Sequence, residues 1–372
     1  MKIALISPLP PYRGGIATFS HLLVSHLLPR HELYAVNFRR LYPQILFPGK
    51  SQLHPSRTAL TPVRTDSILD ALAPPSWGLA ARRIEAFQPD ICLFIYWMPF
   101  FIPAYWRLVR LLGPRYKSAV LCHNVEEHES VAGLRWLKRR FFQNADRLVV
   151  LSSVSRDQLQ NLSITTPTIV LFHPLYPVYG NELPQEAAKA QLGVPPEKPM
   201  ILFFGVVRPY KGLIHLIEAA RTLRQQGASF HLRVAGEFYQ GYDETAAFVS
   251  REDLAEYVTL ENRFIPDQEV ASYFSAADVV ALPYLTATQS RVVPIAYHFN
   301  RPVVVTEVGG LPEVVRQGET GFLVPPADSS ELAEVLGQNL PEGFHAMRGG
   351  VERAKGQFSW ENFVTQLERF LS

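Results

Sequence analysis

Short, unbroken runs of branched aliphatic residues alternate with stretches of helical periodicity from one end of the chain to the other. In the first half the strand candidates lie at 2–7, 32–37, 90–96, 118–122, 147–151 and 168–172. In the second half they lie at 200–205, 230–235, 257–260, 278–282 and 302–306. Because strands buried on both faces are continuously apolar, this pattern predicts parallel sheets covered by helices.

The segments between these runs have the period of amphipathic helices, as the crossover connections of parallel strands require. Predicted helices lie near 16–28, 76–87, 103–112 and 133–144, and near 212–226, 267–276, 292–299, 328–338 and 343–355. A chain of 372 residues is long enough for two domains of common size.

We therefore predict an α/β fold with two doubly wound, Rossmann-like domains that face each other across a cleft. The N-terminal domain is placed at 1–176, a proline-rich linker at 177–199 and the C-terminal domain at 200–355. The last segment, 356–372, is predicted to be an amphipathic helix that can pack back on the N-terminal domain. Ligands of such sheets bind beyond the carboxyl ends of the strands.

The composition narrows the class of protein further. A formal net charge of +2 provides no global field toward nucleic acid, so no nucleic-acid partner is expected. The two cysteines, Cys92 and Cys122, lie in apolar runs and are expected to be core residues in a reducing, cytoplasmic compartment. The N-terminus is predicted to be a strand rather than a signal peptide, and the apolar segment Ile91–Leu112 contains prolines and arginines that make it a poor membrane span.

The loop after the first predicted strand contains Gly14 and Gly15 and is followed directly by a predicted helix. Glycines accept positive φ and let a ligand approach the backbone, while the free N–H groups of the helix attract phosphate. Tyr12 and Arg13 precede the glycines and are candidate contacts of an acceptor. A plain glycine turn is the alternative.

The loop after the predicted strand 200–205 contains Gly205, Arg208 and Lys211. A guanidinium fork and an ammonium group together can neutralise a diphosphate and stabilise the charge that grows on it as it leaves. A solvated surface pair is the alternative interpretation.

Thr288, Gln289, Ser290 and Arg291 follow the predicted strand 278–282 and precede a helix. They provide small polar groups and backbone donors, although simple capping of the helix explains Thr or Ser equally well. A further glycine loop, 308–313, follows the next strand. Loops of this kind at several strand ends of one domain predict a nucleotide diphosphate site.

His123 and Asn124 end the apolar run 118–122, where an active-site group would point toward bound substrate. Two histidines and three glutamates lie within 123–129, but their spacing fits no standard zinc motif, so no metal is predicted. A core or capping histidine is the other alternative.

The segment 134–142 is both basic and aromatic, and more aromatic residues lie at 97–106. Such a helix can contact an anionic membrane surface peripherally. An amphipathic helix with a solvated basic face is the alternative.

Taken in order, the motifs resemble those of the retaining GT-B enzymes of glycosyltransferase family 4, and the resemblance covers nearly the whole chain. In the N-terminal half it rests on the Gly14–Gly15 loop and on His123–Asn124. In the C-terminal half it rests on Gly205-x-x-Arg208-x-x-Lys211-Gly212, Phe264–Asp267, Ala277–Val279, Pro302–Val304, Gly309–Glu313 and Gly318–Val324.

The resemblance implies a nucleotide-sugar donor and a glycan, lipid-linked or small-molecule acceptor, as in polysaccharide biosynthesis. It implies that Arg208 and Lys211 hold the donor diphosphate, and that His123 lies near the transferred sugar. The backbone of Arg263, Phe264 and Ile265 would contact the nucleobase, and the Gly14–Gly15 loop would close over the phosphates or the acceptor. It also implies retained anomeric configuration, no metal or other cofactor, and a leaving phosphate that helps deprotonate the acceptor.

The chain departs from the family in one important respect. The family commonly carries two glutamates eight positions apart, where this chain has Ala287 and Ile295. It resembles instead a branch with a Thr-Gln-Ser-Gly loop, in which Arg291 takes the glycine position. The departure keeps a second hypothesis open, a degenerate GT-B protein that binds nucleotide sugar or glycan without transfer.

Two further classes of protein are alternatives. Another GT-B enzyme, such as a nucleotide-sugar epimerase, would share the diphosphate site. A dinucleotide oxidoreductase is disfavoured, because the first strand is not followed by a Gly-x-Gly-x-x-Gly turn or by a suitable acidic residue about 20 positions on.

Overall fold

The computed structural model describes residues 1–42, 52–53, 63–126 and 134–372. These residues form two compact units. The first unit comprises Met1–Phe172 and Trp360–Ser372, and the second comprises His173–Ser359. The chain therefore passes from the first unit to the second just before the proline-rich segment, and its last helix returns to the first unit.

The first unit is built on a seven-stranded parallel sheet. Its strands are β1 (Lys2–Ile6), β2 (Glu32–Arg40), β3 (Arg64–Asp70), β4 (Ile91–Tyr96), β5 (Lys117–Cys122), β6 (Arg147–Val150) and β7 (Thr168–Val170). The order β3-β2-β1-β4-β5-β6-β7 reverses direction between β1 and β4. The carboxyl ends of these two strands flank the point where doubly wound sheets bind ligands.

In the described part of this unit, five α-helices precede the crossover to the second, and buried apolar side chains on them cover the sheet. They are α1 (Gly15–Leu27), α2 (Pro74–Phe87), α3 (Ile102–Leu112), α4 (Leu134–Asn144) and α5 (Ser153–Asn161). The apolar segment that sequence analysis weighed as a membrane span divides into β4 and α3. Within the described ranges, no helix combines the length and hydropathy needed to cross a bilayer.

The second unit is built on a six-stranded parallel sheet. Its strands are β8 (Met200–Phe204), β9 (His231–Ala235), β10 (Val258–Glu261), β11 (Val279–Leu282), β12 (Val303–Thr306) and β13 (Gly321–Val324). The order β10-β9-β8-β11-β12-β13 reverses direction between β8 and β11. The loops after these two strands are those that sequence analysis selected for phosphate binding.

The helices of the second unit are α6 (Gln185–Gln191), α7 (Leu213–Gln225), α8 (Tyr242–Arg251), α9 (Asp267–Ala276), α10 (Val292–His298), α11 (Ser329–Asn339) and α12 (Glu342–Lys355). Helix α6 lies in the segment that was predicted to be a linker. Its Lys189 is buried and hydrogen-bonds the carbonyl oxygens of Pro196 and Lys198 at 3.1 and 2.8 Å. The segment is therefore an integral part of the second unit.

The final helix, α13 (Trp360–Leu371), packs on α1 of the first unit. Its buried residues include Trp360, Phe363 and Leu367, which recur at the helical period and form one face. The ring of Trp360 stacks on His26 with centroids 5.0 Å apart, and Phe363 meets Phe19 edge to face at 5.9 Å. These contacts explain why the end of the chain belongs to the first unit.

Candidate functional site

The ammonium group of Lys211 lies beside Gly205 at the carboxyl end of β8. Gly205 follows the strand directly and has a φ of 99°, a conformation that glycine adopts without strain. The Nζ atom of Lys211 is 3.5 Å from the position that a Cβ atom on Gly205 would take. The missing side chain of Gly205 thus leaves the space in front of the ammonium group open to a ligand.

Arg208 and Arg291 complete a cluster of cations around Lys211. Burial, then repulsion from Arg291 and from Arg208, lowers the pKa of Lys211 to about 7. No carboxylate is among the groups that shift this pKa. As far as the described residues show, the cluster therefore carries positive charge without compensation from a nearby acid, which is the electrostatic condition for binding an anion.

Two aromatic rings support these cations. The Cζ atom of Arg208 lies 5.1 Å from the ring centroid of Tyr239, and Nζ of Lys211 lies 5.4 Å from that of Tyr284. Cation–π contacts of this kind hold a side chain in place without neutralising its charge. Burial raises the pKa of Tyr284, so its hydroxyl stays protonated and able to donate.

Backbone hydrogen bonds join the loops at this edge of the sheet. The N–H of Leu285 donates to the carbonyl oxygen of Tyr210 at 2.8 Å, which connects the loops after β11 and β8. A Cβ atom on Gly212 would lie 2.0 Å from the carbonyl oxygen of Pro283, so only glycine permits this approach. The loops that carry Lys211 and Arg291 are thus held against each other.

The loop with Thr288, Gln289, Ser290 and Arg291 connects β11 to α10. The hydroxyl oxygen of Ser290 accepts the N–H of Val292 at 3.1 Å and also hydrogen-bonds Tyr284. Ser290 therefore acts at least in part as a structural residue of the loop, as the capping alternative expected. Thr288 is buried and its carbonyl oxygen accepts the N–H of Gly310 at 3.1 Å.

Ala287 and Ile295 occupy the two positions at which the family that the chain resembles commonly has glutamates. Ile295 is buried on α10, and the carbonyl oxygen of Ala287 lies against Gly309. The side chains at both positions are apolar, so this part of the site offers neither a carboxylate for hydroxyl groups nor one for Arg291.

Arg263, Phe264 and Ile265 follow β10, two strands away from β8 in the sheet. The guanidinium group of Arg263 is held by Glu261 at 2.7 Å and by Glu269 and Tyr273. Ile265 is buried. The guanidinium group of Arg263 and the side chain of Ile265 are thus engaged within the protein, and a nucleobase contact by the backbone of this loop stays a prediction.

In the first unit, the loop with Gly14 and Gly15 lies between β1 and α1. Gly14 has a φ of 108°, and no atom of the residues that the structure describes lies within 4 Å of where its Cβ would be. Tyr12 is buried and donates its hydroxyl to the carbonyl oxygen of Phe38 at 3.2 Å, while the N–H of Arg13 donates to Gln52 at 2.9 Å. The buried side chain of Tyr12 therefore anchors the loop to β2. An acceptor contact by Tyr12 or Arg13 stays a prediction.

His123 lies at the carboxyl end of β5 and is 2% exposed. Its ring meets Phe19 edge to face at 4.5 Å, and its backbone N–H donates to the carbonyl oxygen of Tyr96 at 2.8 Å. The side chain of Asn124 donates to the carbonyl oxygen of Trp97 at 3.4 Å. Both residues lie at the same sheet edge as the Gly14–Gly15 loop, one strand beyond β4.

The metal alternative for this region included Glu127, His128 and Glu129, which lie outside the described residues. In the part of the chain that the structure describes, no group of three or more histidine, cysteine and acidic residues is arranged to hold a metal ion.

Sequence reasoning missed His173 and Tyr176, a buried pair at the start of the second unit. Their rings stack with centroids 5.4 Å apart, and the Tyr176 hydroxyl lies 3.4 Å from the imidazole nitrogens. Burial and the positive charge of Arg291 lower the pKa of His173 to about 3, so the imidazole is neutral at physiological pH. No local motif marks this pair, because it approaches Arg291 through tertiary structure.

Residues 198–340 match the family model described as glycosyl transferases group 1. A D-inositol 3-phosphate glycosyltransferase of Corynebacterium aurimucosum is 32% identical over 250 residues, which cover 63% of this chain and 58% of that protein. The enzyme of the same name from Corynebacterium urealyticum is 28% identical over 315 residues, covering 78% and 72%. The chain thus spans less than two thirds of the length of the first of these relatives.

Among solved structures, the Anabaena protein HepE in complex with UDP has a TM-score of 0.77 and 19% identity, with 100% of this chain and 99% of that chain covered. The same protein in complex with UDP-glucose has a TM-score of 0.74 and 20% identity, with the same coverage. Likeness at this level of identity establishes the fold. The predicted pair of Rossmann-like parallel-sheet domains, a GT-B fold, is confirmed.

Proposed function

We propose that this chain, whose residues 198–340 match the model of the group 1 glycosyltransferases, transfers a sugar from a nucleotide-diphosphate donor to an acceptor hydroxyl. One observation carries the proposal. Arg208, Lys211 and Arg291 gather positive charge at the carboxyl edge of a Rossmann-like sheet, with no carboxylate among the groups that perturb Lys211. Cation clusters at the carboxyl ends of the strands in Rossmann-like sheets bind diphosphates.

In the proposed reaction Arg208 and Lys211 bind the diphosphate and offset the charge that grows on it. The bond between the sugar C1 atom and the phosphate oxygen breaks with its electron pair on that oxygen, and the acceptor oxygen bonds to C1. The acceptor proton leaves by way of the departing phosphate, and the anomeric configuration is retained. Because the cations supply the electrostatic stabilisation, the proposal requires no metal.

The first unit would provide the acceptor side. His123 would lie near the transferred sugar, and the Gly14–Gly15 loop would close over the phosphates or the acceptor. The space at Gly14 supports this assignment, because no atom of the described residues lies within 4 Å of its Cβ position. The acceptor would be a glycan or a lipid-linked molecule.

A panel of UDP-, ADP- and GDP-sugars tests the proposal, with thermal shift as the measure of binding and slow donor hydrolysis as the measure of chemistry. Arg208→Ala and Lys211→Ala should each reduce hydrolysis about 100-fold or more. Arg251→Ala is the matched control, since Arg251 is an exposed cation of the same unit that pairs with Glu252 at 3.2 Å. If no nucleotide stabilises the wild-type protein, or if all three variants behave alike, the proposal is wrong.

The second candidate function is binding without transfer, and the apolar residues Ala287 and Ile295 favour it. They leave the loop after β11 and the helix α10 without the side chains that bind sugar hydroxyl groups in the family that the chain resembles. Stabilisation by a nucleotide sugar, without hydrolysis or transfer to any acceptor tested, would support this function over the first.

We also propose that the outer face of α3 and α4 contacts an anionic membrane surface on the cytoplasmic side. Trp136 is 58% exposed, and its ring meets that of Trp106 at 6.2 Å. Arg110 and Arg140 stack over these rings at 5.4 and 5.6 Å. Neither helix contains an acidic residue, and exposed tryptophan beside arginine suits the headgroup region of a bilayer.

Flotation with liposomes tests this surface. The protein should float with vesicles that contain phosphatidylserine or phosphatidylglycerol, and much less with pure phosphatidylcholine. Trp136→Ala combined with Arg140→Ala should reduce flotation, whereas the control Arg251→Ala should not. Equal flotation with neutral and anionic vesicles, or none with either, would remove the membrane surface from the proposal.

A further inference from the structure

Arg291 is a partly buried cation, and within the described ranges no ion pair joins it to a carboxylate. Its Nη1 atom is inaccessible to solvent and makes no hydrogen bond with any residue that the structure describes. The groups near it are Lys211, His173, Tyr176, Tyr210 and Tyr284, whose pKa values all respond to its charge. A desolvated guanidinium N–H without a partner costs stability, and an anionic ligand would remove that cost.

Arg291 shares its location with the proposed diphosphate site. Its repulsion of Lys211 is the larger of the two cationic effects on that residue, ahead of Arg208. The hydrogen bond from Leu285 N–H to the carbonyl oxygen of Tyr210 and the contact of Gly212 with Pro283 hold its loop against the loop of Lys211. An anion bound by Lys211 is therefore within the field of Arg291 as well.

The intact donor and the leaving diphosphate differ in negative charge, and this difference indicates which of them Arg291 binds more tightly. The diphosphate of a nucleotide sugar is a diester with two negative charges, which Arg208 and Lys211 balance. When the bond from C1 to the phosphate oxygen breaks, its electron pair stays on that oxygen, and the leaving diphosphate gains a third negative charge. A third cation thus complements the leaving group better than the intact donor.

We infer that Arg291 is a catalytic residue that binds the negative charge appearing on the leaving phosphate. The inference rests on the proposed function and adds a cation to its two. Arg291 would contribute little to binding of the donor and much to the transition state and to binding of the nucleoside diphosphate product.

Two substitutions separate charge from shape at this position. Arg291→Gln keeps a hydrogen-bonding side chain of moderate length and removes the charge, whereas Arg291→Lys keeps the charge. Dissociation constants are measured at pH 7.5 for UDP and UDP-glucose, ADP and ADP-glucose, and GDP and GDP-mannose, followed by kcat and KM for hydrolysis of the sugars that bind. Thermal melting of each free variant checks that it folds.

For Arg291→Gln we expect the nucleoside diphosphate to bind about tenfold more weakly, while the nucleotide sugar changes by less than about threefold. The kcat for hydrolysis should fall about 100-fold with little change in KM, and Arg291→Lys should recover most of it. Such a split is not expected of a residue that only supports the loop.

An equal loss of affinity for both ligands, with KM raised and kcat unchanged, would make Arg291 an ordinary donor contact and overturn the inference. Unchanged binding and hydrolysis in Arg291→Gln would overturn it as well. If the wild type binds none of the six nucleotides, the proposed function itself fails. If Arg208→Ala reduces hydrolysis and Arg291→Gln does not, the proposed function stands and only the catalytic role of Arg291 is refuted.

Discussion

A Cβ atom on Gly309 would lie 1.4 Å from the carbonyl oxygen of Ala287, so the loops after β12 and β11 meet backbone to backbone. Gly309 also has a φ of 55°, and the neighbouring Gly310 N–H donates to the carbonyl oxygen of Thr288 at 3.1 Å. This contact fixes the loop that leads to Arg291. The cation cluster therefore depends on a glycine that carries no chemistry of its own.

Replacement of Gly309 by alanine should destabilise the second unit and displace the loop after β11. We expect a loss of about 3 kcal/mol or more in the free energy of unfolding, because the methyl group cannot fit and backbone must move. Urea denaturation measures the loss. Gly318→Ala is the control, since Gly318 has a φ of 72° and open space at its Cβ position. Similar losses in both variants would contradict the close contact.

Replacement of Gly205 by alanine should weaken binding of nucleotides more than it weakens the fold. The methyl group would stand 3.5 Å from Nζ of Lys211, in the space assigned to the diphosphate. Strain at positive φ should cost about 1–2 kcal/mol of stability. Gly180 has a φ of 89° and open surroundings, so Gly180→Ala should lose a similar amount of stability without losing affinity for nucleotides. Calorimetric titration with UDP-glucose distinguishes the two, and equal affinities would refute the assigned space.

Affinity for a nucleotide sugar should fall as the pH rises above 7. The pKa of Lys211 in the free protein is lowered to about 7, and a bound diphosphate raises it. Below pH 7 the ammonium group is already protonated and affinity is constant. Above pH 7 binding must take up a proton, so the dissociation constant should rise by up to about tenfold per pH unit.

UDP-glucose is the suitable ligand for this measurement, because its diphosphate diester does not titrate between pH 6 and 9. Lys211→Arg provides the control, since a guanidinium group stays charged over that range and should give a nearly flat profile. A flat profile for the wild type would mean that Lys211 is fully charged before the ligand arrives.

The buried pair Lys189–Asp278 should be a major source of stability in the second unit. The two side chains are 5% and 1% exposed, and Nζ of Lys189 lies 3.4 Å from Oδ2 of Asp278. The same carboxylate oxygen accepts the N–H of Met200 at 2.7 Å. Asp278→Asn should lower the free energy of unfolding by about 3–5 kcal/mol, because it leaves the buried ammonium group without the negative charge that balances it.

The double variant Asp278→Asn with Lys189→Met serves as the matched control and should lose clearly less than the sum of the two single losses. Burial opposes the charge of Asp278, but the Met200 N–H and Lys189 hold its pKa below the ordinary value. The stabilisation should therefore be complete above about pH 4 and be lost as the pH falls through the lowered pKa, a loss absent from Asp278→Asn. Additive losses would show that the pair is not coupled.

Most strands and helices could be predicted from sequence because a strand buried on both faces must be apolar throughout. Exceptions share a physical cause. The edge strand β3 begins with four polar residues and contains only two apolar ones, and the edge strand β13 begins at Gly321 and is only partly buried. Helices α5, α6 and α8 are short and mostly polar, so their apolar faces are too narrow to stand out from the surrounding loops.

The sequence by itself determined the two parallel-sheet domains and the strand ends at which glycines and cations occur, because burial and backbone freedom are local properties of residue type. Only the tertiary structure decided that Lys211 and Arg291, which are 80 positions apart, share one electrostatic environment with His173. It also decided that Gly212 and Gly309 meet specific carbonyl groups. Such contacts depend on how neighbouring strands bring distant loops together, and no local pattern of residues encodes that distance.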